Sequence, residues 1–169
     1  MQIPYKGVYP RVHVTVYIAD GAPVIGDVEI GEESSVWFNT VVRGDVNRIR
    51  IGKRTNVQDN CTLHVTSENP LLIGDDVTLG HGANVHGCTI EDLALVGIGA
   101  IVLDGAVIGR GSVVGAGAVV APGAVVPPGS LVLGVPGKVV RTLPEEAREG
   151  NRLTAAHYVE YARTYRQGG

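Results

Sequence analysis

Aromatic side chains are scarce in this 169-residue chain, which has one Phe, one Trp and six Tyr. Set beside 24 Gly, 9 Pro and a strong bias to valine, that scarcity describes many short strands joined by tight turns and excludes an ordinary helical bundle. Cysteine is nearly missing too. Cys61 and Cys88 cannot build the disulfide framework of a small secreted domain, and reduced thiols suit the cytosol. There is no surplus of positive charge: a net charge of -3 offers no basic surface to nucleic acid or anionic lipid. Met1-Gln-Ile-Pro-Tyr-Lys6 holds no apolar run of signal-peptide length, so the expected compartment is the cytoplasm. The one long uncharged stretch, 27 residues from Gly111 to Gly137, contains Pro122, Pro127, Pro128 and Pro136 and seven glycines. Those residues would destroy a spanning helix, and no membrane association is expected. At 44% hydrophobic and 18% charged, the chain has the composition and length of a single folded domain.

What the chain does have is a period of six. Leu95, Ile101, Val107, Val113, Val119, Val125 and Leu131 are each six apart, and the same spacing links Val24, Ile30, Val36 and Val42, then Ile51, Val57 and Leu63, then Ile73, Leu79 and Val85. Each hexad reads as a short strand plus a corner, and the recurring aliphatic residues are expected to form the core. The steps Val42 to Ile51, Leu63 to Ile73 and Val85 to Leu95 are 9, 10 and 10 residues, and at each a few residues are expected to leave the coil as a loop. A hexad cannot enclose a core alone, so successive coils must stack. The period fixes neither the number of walls nor the hand. These hexads resemble those of the hexapeptide-repeat superfamily. The resemblance implies an all-β fold, a left-handed parallel β-helix with three walls and three hexads per turn, its hand an exception to the right-handed crossover rule.

The period stops after Val139-Val140-Arg141, where Thr142-Leu-Pro-Glu145 reads as a capping box with proline in the first turn. Residues 1–141 are therefore expected to form the prism and 142–169 a C-terminal α-helix packed on it. Gly150 is expected to interrupt that helix. Tyr158, Tyr161, Ala162 and Tyr165, at i, i+3, i+4 and i+7, would form a stripe facing the wall.

Three of the five histidines, His64, His81 and His86, fall within 23 positions. With three hexads to the turn, and the extra residues after Leu63 outside the coil, Leu63 and Val85 share a wall one turn apart. His64 and His86 then stack at the strand spacing of about 4.8 Å, where two imidazoles can share a metal. His81 occupies another place in its hexad, up to roughly 16 Å from His86 along extended chain, and does not complete that site within one subunit. Supplied by a neighbour, it would make three equivalent sites at the interfaces of a homotrimer. One turn beneath these ligands lie Arg43, under His64, and Asp59, under His81, opposite charges expected to meet across the same interface. His13 and His157 have no partners in phase and are expected at the surface. Cys61 lies in the small-residue slot of its hexad and is expected to pack inward.

Arg43-Gly-Asp45, Arg54-Thr-Asn-Val-Gln58-Asp59-Asn60-Cys61, His64, Gly80-His81 and Val85-His86-Gly87-Cys88 together resemble the γ-class carbonic anhydrase family, from about Pro10 to the C-terminal helix. That resemblance implies reversible hydration of carbon dioxide to bicarbonate. It implies zinc, or iron or cobalt in its place, on His64, His81 and His86, with His81 donated by a neighbour in a homotrimer. It also implies an Arg43–Asp59 pair across the interface, and Asp45 and Gln58 in contact with the water network at the metal. Tyr158 is similar to an active-site tyrosine of the bacterial short-loop branch. Three neutral imidazoles leave the metal its full charge and an open position at which water turns acidic, with a pKa of about 7 on zinc. The archetype carries a glutamate directly after Arg-Gly-Asp, where this chain has Val46, and its acidic loop is reduced to Thr66-Ser-Glu68-Asn-Pro70. Glu68 is the one carboxylate there, so proton export is expected to limit turnover. An acyltransferase or thioesterase built on the same prism, or a weakly catalytic metal-binding trimer acting in assembly, are the alternatives.

Overall fold

The computed structural model describes residues 1–168; the last residue of the expected 142–169 helix segment lies outside them. Strands pair in parallel at an interval of eighteen residues through the regular part of the chain. Leu95 lies beside Val113 and Val113 beside Leu131, Ile101 beside Val119, and Val107 beside Val125. Three hexads therefore make one coil, and the fold is a parallel β-solenoid of about 7 turns followed by one helix. The first wall stacks Thr62–His64, Asn84–His86, Ile101–Val102 and Val119–Val120, and the second stacks Leu71–Ile73, Thr89–Ile90, Val107–Ile108 and Val125–Val126. The long strand Val41–Ile51 pairs with members of both and joins the two walls into one sheet. The third wall runs from Tyr17–Ile18 to Ser130–Leu133, where Lys138–Thr142 folds back antiparallel and closes the end of the stack.

The core follows the hexads, with one correction. Val24, Ile30, Val36, Val42, Ile51, Val57, Leu63, Ile73, Leu79 and Val85 are buried as the period requires. Beyond Val85 the inward row shifts by one: Ile90, Val96, Val102, Ile108, Val114, Val120, Val126 and Val132 are buried, whereas Leu95, Ile101, Val107, Val113, Val119 and Leu131 are only partly covered and Val125 is 72% exposed. The cause is a single short step, five residues from Val85 to Ile90, so the interval from Val85 to Leu95 holds no loop. Because doublets such as Val113-Val114 are apolar at both positions, a period of six fits either phase. The true phase is marked by a small residue two positions before each inward aliphatic: Ala94 before Val96, Ala100 before Val102, Ser112 before Val114. A larger residue in that slot would collide with the neighbouring walls at the corner.

The helix spans Glu145–Gly168 and passes through Gly150 without a break. It starts after Pro144, while Thr142 is still strand, paired with Ser130. It lies along the third wall. The stripe it buries is Asn151, Ala155, Val159 and Ala162, where small residues allow close approach, and Tyr161 and Tyr165 are about half exposed at its edges. Tyr165 still meets Tyr17, Trp37 and Phe38 at ring separations of 5.3 to 5.9 Å. Asn151 donates to the Leu93 carbonyl at 2.9 Å, and Arg166 to that of Thr15 at 2.8 Å.

The phase correction is testable by unfolding. Ile108→Ala should cost about 2–5 kcal/mol, as for a large core residue truncated in a rigid interior. Val125→Ala should change stability by no more than about 0.5 kcal/mol. Comparable losses at the two positions would favour the other phase.

Candidate functional site

Two groups of polar side chains project from the stack. The first stands on the first wall, where Thr62–His64 pairs with Asn84–His86 so that His64 and His86 are register partners. The extra residues from Thr66 to Pro70 are what bring them into line. They leave as a loop in which the Asn47 amide donates to the carbonyls of Thr66 and Ser67 at 3.0 and 3.1 Å. His64 Nδ1 and His86 Nε2 face each other at 2.9 Å. The outer nitrogens are both tied to carboxylates: His64 Nε2 lies 3.0 Å from Asp45 Oδ1, and His86 Nδ1 lies 2.6 Å from Asp104 Oδ1. Arg43 donates to the other oxygen of Asp45. Burial pushes the Asp45 carboxyl up, but the hydrogen bonds from His64 and Arg43 outweigh it and hold the group below the usual carboxylate range.

The second group stands at the corner between the third and first walls. His81 Nδ1 lies 2.9 Å from Asp59 Oδ2. Gln58 is 5% exposed and spans the base of this corner, accepting from the His81 backbone N–H at 3.2 Å and donating to Asn56 Oδ1 at 3.1 Å. Tyr158 reaches the same region from the helix, its ring 5.5 Å from that of Trp37. Burial raises the Tyr158 phenol above its ordinary value, and the negative charge of Asp59 adds to the effect, so the hydroxyl stays protonated at neutral pH.

Within one chain, then, Asp45, His64 and His86 come together, while Gln58, Asp59, His81 and Tyr158 form a separate set. Among the described residues no three His, Cys, Asp or Glu side chains of one chain stand ready to hold a metal. Arg43 and Asp59 each have an intrachain partner, Asp45 and His81. His13 and His157 are exposed. Cys61 and Cys88 are buried in small slots of the core, and burial pushes both thiols up to about 12.

The donor set suits a metal. Carboxylates accept hydrogen bonds, so the outer nitrogens of His64 and His86 carry the protons and their inner nitrogens present lone pairs to one another across 2.9 Å. Only a proton or a cation relieves that arrangement. Two imidazoles on one tetrahedral zinc stand about 3.3 Å apart for bonds of 2.0–2.1 Å, so a slight opening of the rings admits the ion. His81, tied to Asp59 through Nδ1, likewise keeps Nε2 for a ligand.

No family profile matches the chain. Coil, register and terminal helix define a hexapeptide-repeat protein with a left-handed parallel β-helix. A hexapeptide transferase family protein from Anaplasma phagocytophilum has the same structure, with a TM-score of 0.94 at 41% identity over 98% of each chain. In sequence the chain is 51% identical over 167 residues to a carbonic anhydrase of Geobacillus kaustophilus, covering 98% of this chain and 91% of that one. It is 44% identical to the mitochondrial gamma carbonic anhydrase 2 of Arabidopsis thaliana, over 92% of this chain and 58% of the plant protein. The chain belongs to the γ-class carbonic anhydrase family. Membership implies an enzyme of the lyase class with a metal cofactor.

Sequence reasoning missed Asp104. Its signal was hidden by the short step: Val85 pairs with Val102, seventeen residues on, so Asp104 stands one position past the register partner of His86 and out of the regular phase.

The depressed Asp45 carboxyl has a pH signature. Its contribution to stability is complete above the unfolded value of about 3.9 and is lost as pH falls through the lower folded value. Metal-free Asp45→Asn should therefore lose stability less steeply than the parent below about pH 4. Parallel denaturation curves would contradict the assignment. Both thiols should also resist a disulfide reagent at pH 8 until the protein unfolds, because a group with a value near 12 holds only a trace of thiolate there.

Proposed function

We propose that the chain hydrates carbon dioxide reversibly to bicarbonate as a homotrimer, with a divalent metal, zinc in the first instance, held by His64 and His86 of one subunit and His81 of the next. The observation that carries this reading is the approach of His64 Nδ1 to His86 Nε2 at 2.9 Å, each ring holding its other nitrogen against a carboxylate, with a third imidazole, oriented in the same way, at a separate corner. Family membership supports the reaction. The hexapeptide transferases share the fold, which by itself assigns no chemistry.

When bound, the metal supplies Lewis acidity that brings the pKa of water near neutrality. The chain's own residues do the rest. Asp45 fixes the His64 ring and, held ionised, accepts a hydrogen bond at the reacting centre. Gln58 holds the His81 backbone and so sets the height of the third ligand. Tyr158 brings a neutral phenol to the side of the centre where His81 enters. Arg43 pairs with Asp59 of the next subunit when two subunits meet, one coil below the ligands, while Asp59 keeps its contact with His81 through its other oxygen.

Proton export is the weak step. Val46, where the archetype has a glutamate, is 53% exposed, and Glu68 stands exposed in the short loop. A cleft of about 240 Å³ lined by Tyr5, Lys6, Asp27, Asp45 and Val46 gives a small buffer access to Asp45. Metal-loaded protein should therefore hydrate carbon dioxide with a turnover that rises with imidazole buffer, and Val46→Glu should raise turnover several-fold at low buffer with little change in KM. His64→Ala, His81→Ala and His86→Ala should each lose most of the metal. A triple variant with full metal content after dialysis would refute the ligand set. Absence of hydration with any metal or buffer would favour the thioesterase or assembly alternative.

A further inference from the structure

We propose that Asp104 is the positioning residue that turns His86 toward the metal, a role that rests on the ligand set proposed above. His86 Nδ1 and Asp104 Oδ1 are 2.6 Å apart, the closest of the three histidine–carboxylate contacts. A carboxylate at that distance takes the Nδ1 proton as a hydrogen bond, so the ring adopts the tautomer with Nε2 bare. It also locks the ring plane, and Nε2 is the atom that faces His64 Nδ1 at 2.9 Å. Without Asp104 the ring can carry its proton on Nε2, which blocks the ligand atom, and it can rotate away from His64. Histidine ligands with such a carboxylate behind them bind their metals about 10- to 100-fold more tightly than those without.

The local backbone is shaped around this contact. Asp104 lies at the corner after Ile101–Val102, the strand that pairs with Asn84–His86. To reach the ring its carboxylate passes over Gly87. A Cβ at Gly87 would lie 2.5 Å from Asp104 Oδ1 and 2.9 Å from the Asn69 Cβ, and its φ of +49° is in the left-handed region. The Gly87 carbonyl accepts the N–H of Gly105 at 2.7 Å, which anchors the corner that carries Asp104. Gly87 is thus required by the approach of the carboxylate as well as by its own dihedral. The Asp104 side chain is 38% exposed and takes no part in the core, so replacing it leaves the prism intact.

The test uses full-length protein and cobalt(II), whose visible absorption reports binding without any reaction. Asp104→Ala should weaken cobalt binding about 10- to 100-fold relative to wild type, and Asp104→Asn, which keeps an acceptor oxygen, should recover part of the loss. In the metal-free proteins, nitrogen-15 spectra should place the His86 proton on Nδ1 in wild type and shift it toward Nε2 in Asp104→Ala. A purely structural residue would move neither readout while the melting temperature held. Cobalt affinity and tautomer unchanged in Asp104→Ala would overturn the proposal and leave the metal centre standing. Failure of wild type itself to bind cobalt would overturn the metal centre and the proposal with it, and a tautomer shift that survived would then identify Asp104 as a hydrogen-bond partner only.

Discussion

A strand-and-corner hexad buries nothing by itself, and every feature of this protein depends on coils stacking in exact parallel register. In a sheet a slip of one residue exchanges the inner and outer faces of a strand. The aliphatic column from Val24 to Val132 stays inside only because each departure from six residues is absorbed at a corner or a loop. The same register makes the site. The step from Leu63 to Val85 is longer than a regular coil, and the surplus is expelled as the loop after Val65, leaving His64 directly beneath His86.

The fold was largely legible because the hexad is a strong periodic signal and the coil has few ways to satisfy it. The phase beyond Val85 was not. Doublets such as Ile101-Val102 and Val119-Val120 offer an aliphatic side chain to either face, and a five-residue step carries no mark in a pattern of apolar residues alone. Alanine and serine two positions before the inward residue carried the missing information, since steric room at the corner, not hydrophobicity, decides that slot. On the helix, aromatic spacing suggested a tyrosine face against the wall, but Ala155 and Ala162 permit a closer approach and displace the rings to the edge. The stacking of His64 and His86 was read correctly because both histidines precede the short step. Asp104 follows it and was overlooked.

The two polar groups have a common logic. Each histidine has one ring nitrogen on a carboxylate, Asp45, Asp59 or Asp104, and keeps the other for a ligand. His64 and His86, whose inner nitrogens face each other at 2.9 Å, are costly to leave without a cation between them, whereas the free nitrogen of the half-exposed His81 is satisfied by water until a ligand arrives. Under the proposed homotrimer, dividing the three imidazoles between a wall and a corner gives one chain two incomplete halves, which association of subunits would bring together. On this reading the metal belongs to the assembly, and trimer formation and loading are thermodynamically linked.

The most direct test of a centre shared between subunits is complementation of two inactive chains. His64→Ala and His81→Ala proteins, each short of metal alone, are unfolded together, refolded at equal ratio, and analysed for metal per trimer. Random assembly restores a complete ligand set at about a quarter of the interfaces, and metal content should rise to about that fraction of the wild-type value. Mixed trimers that hold no more metal than either parent would contradict a site built from two chains.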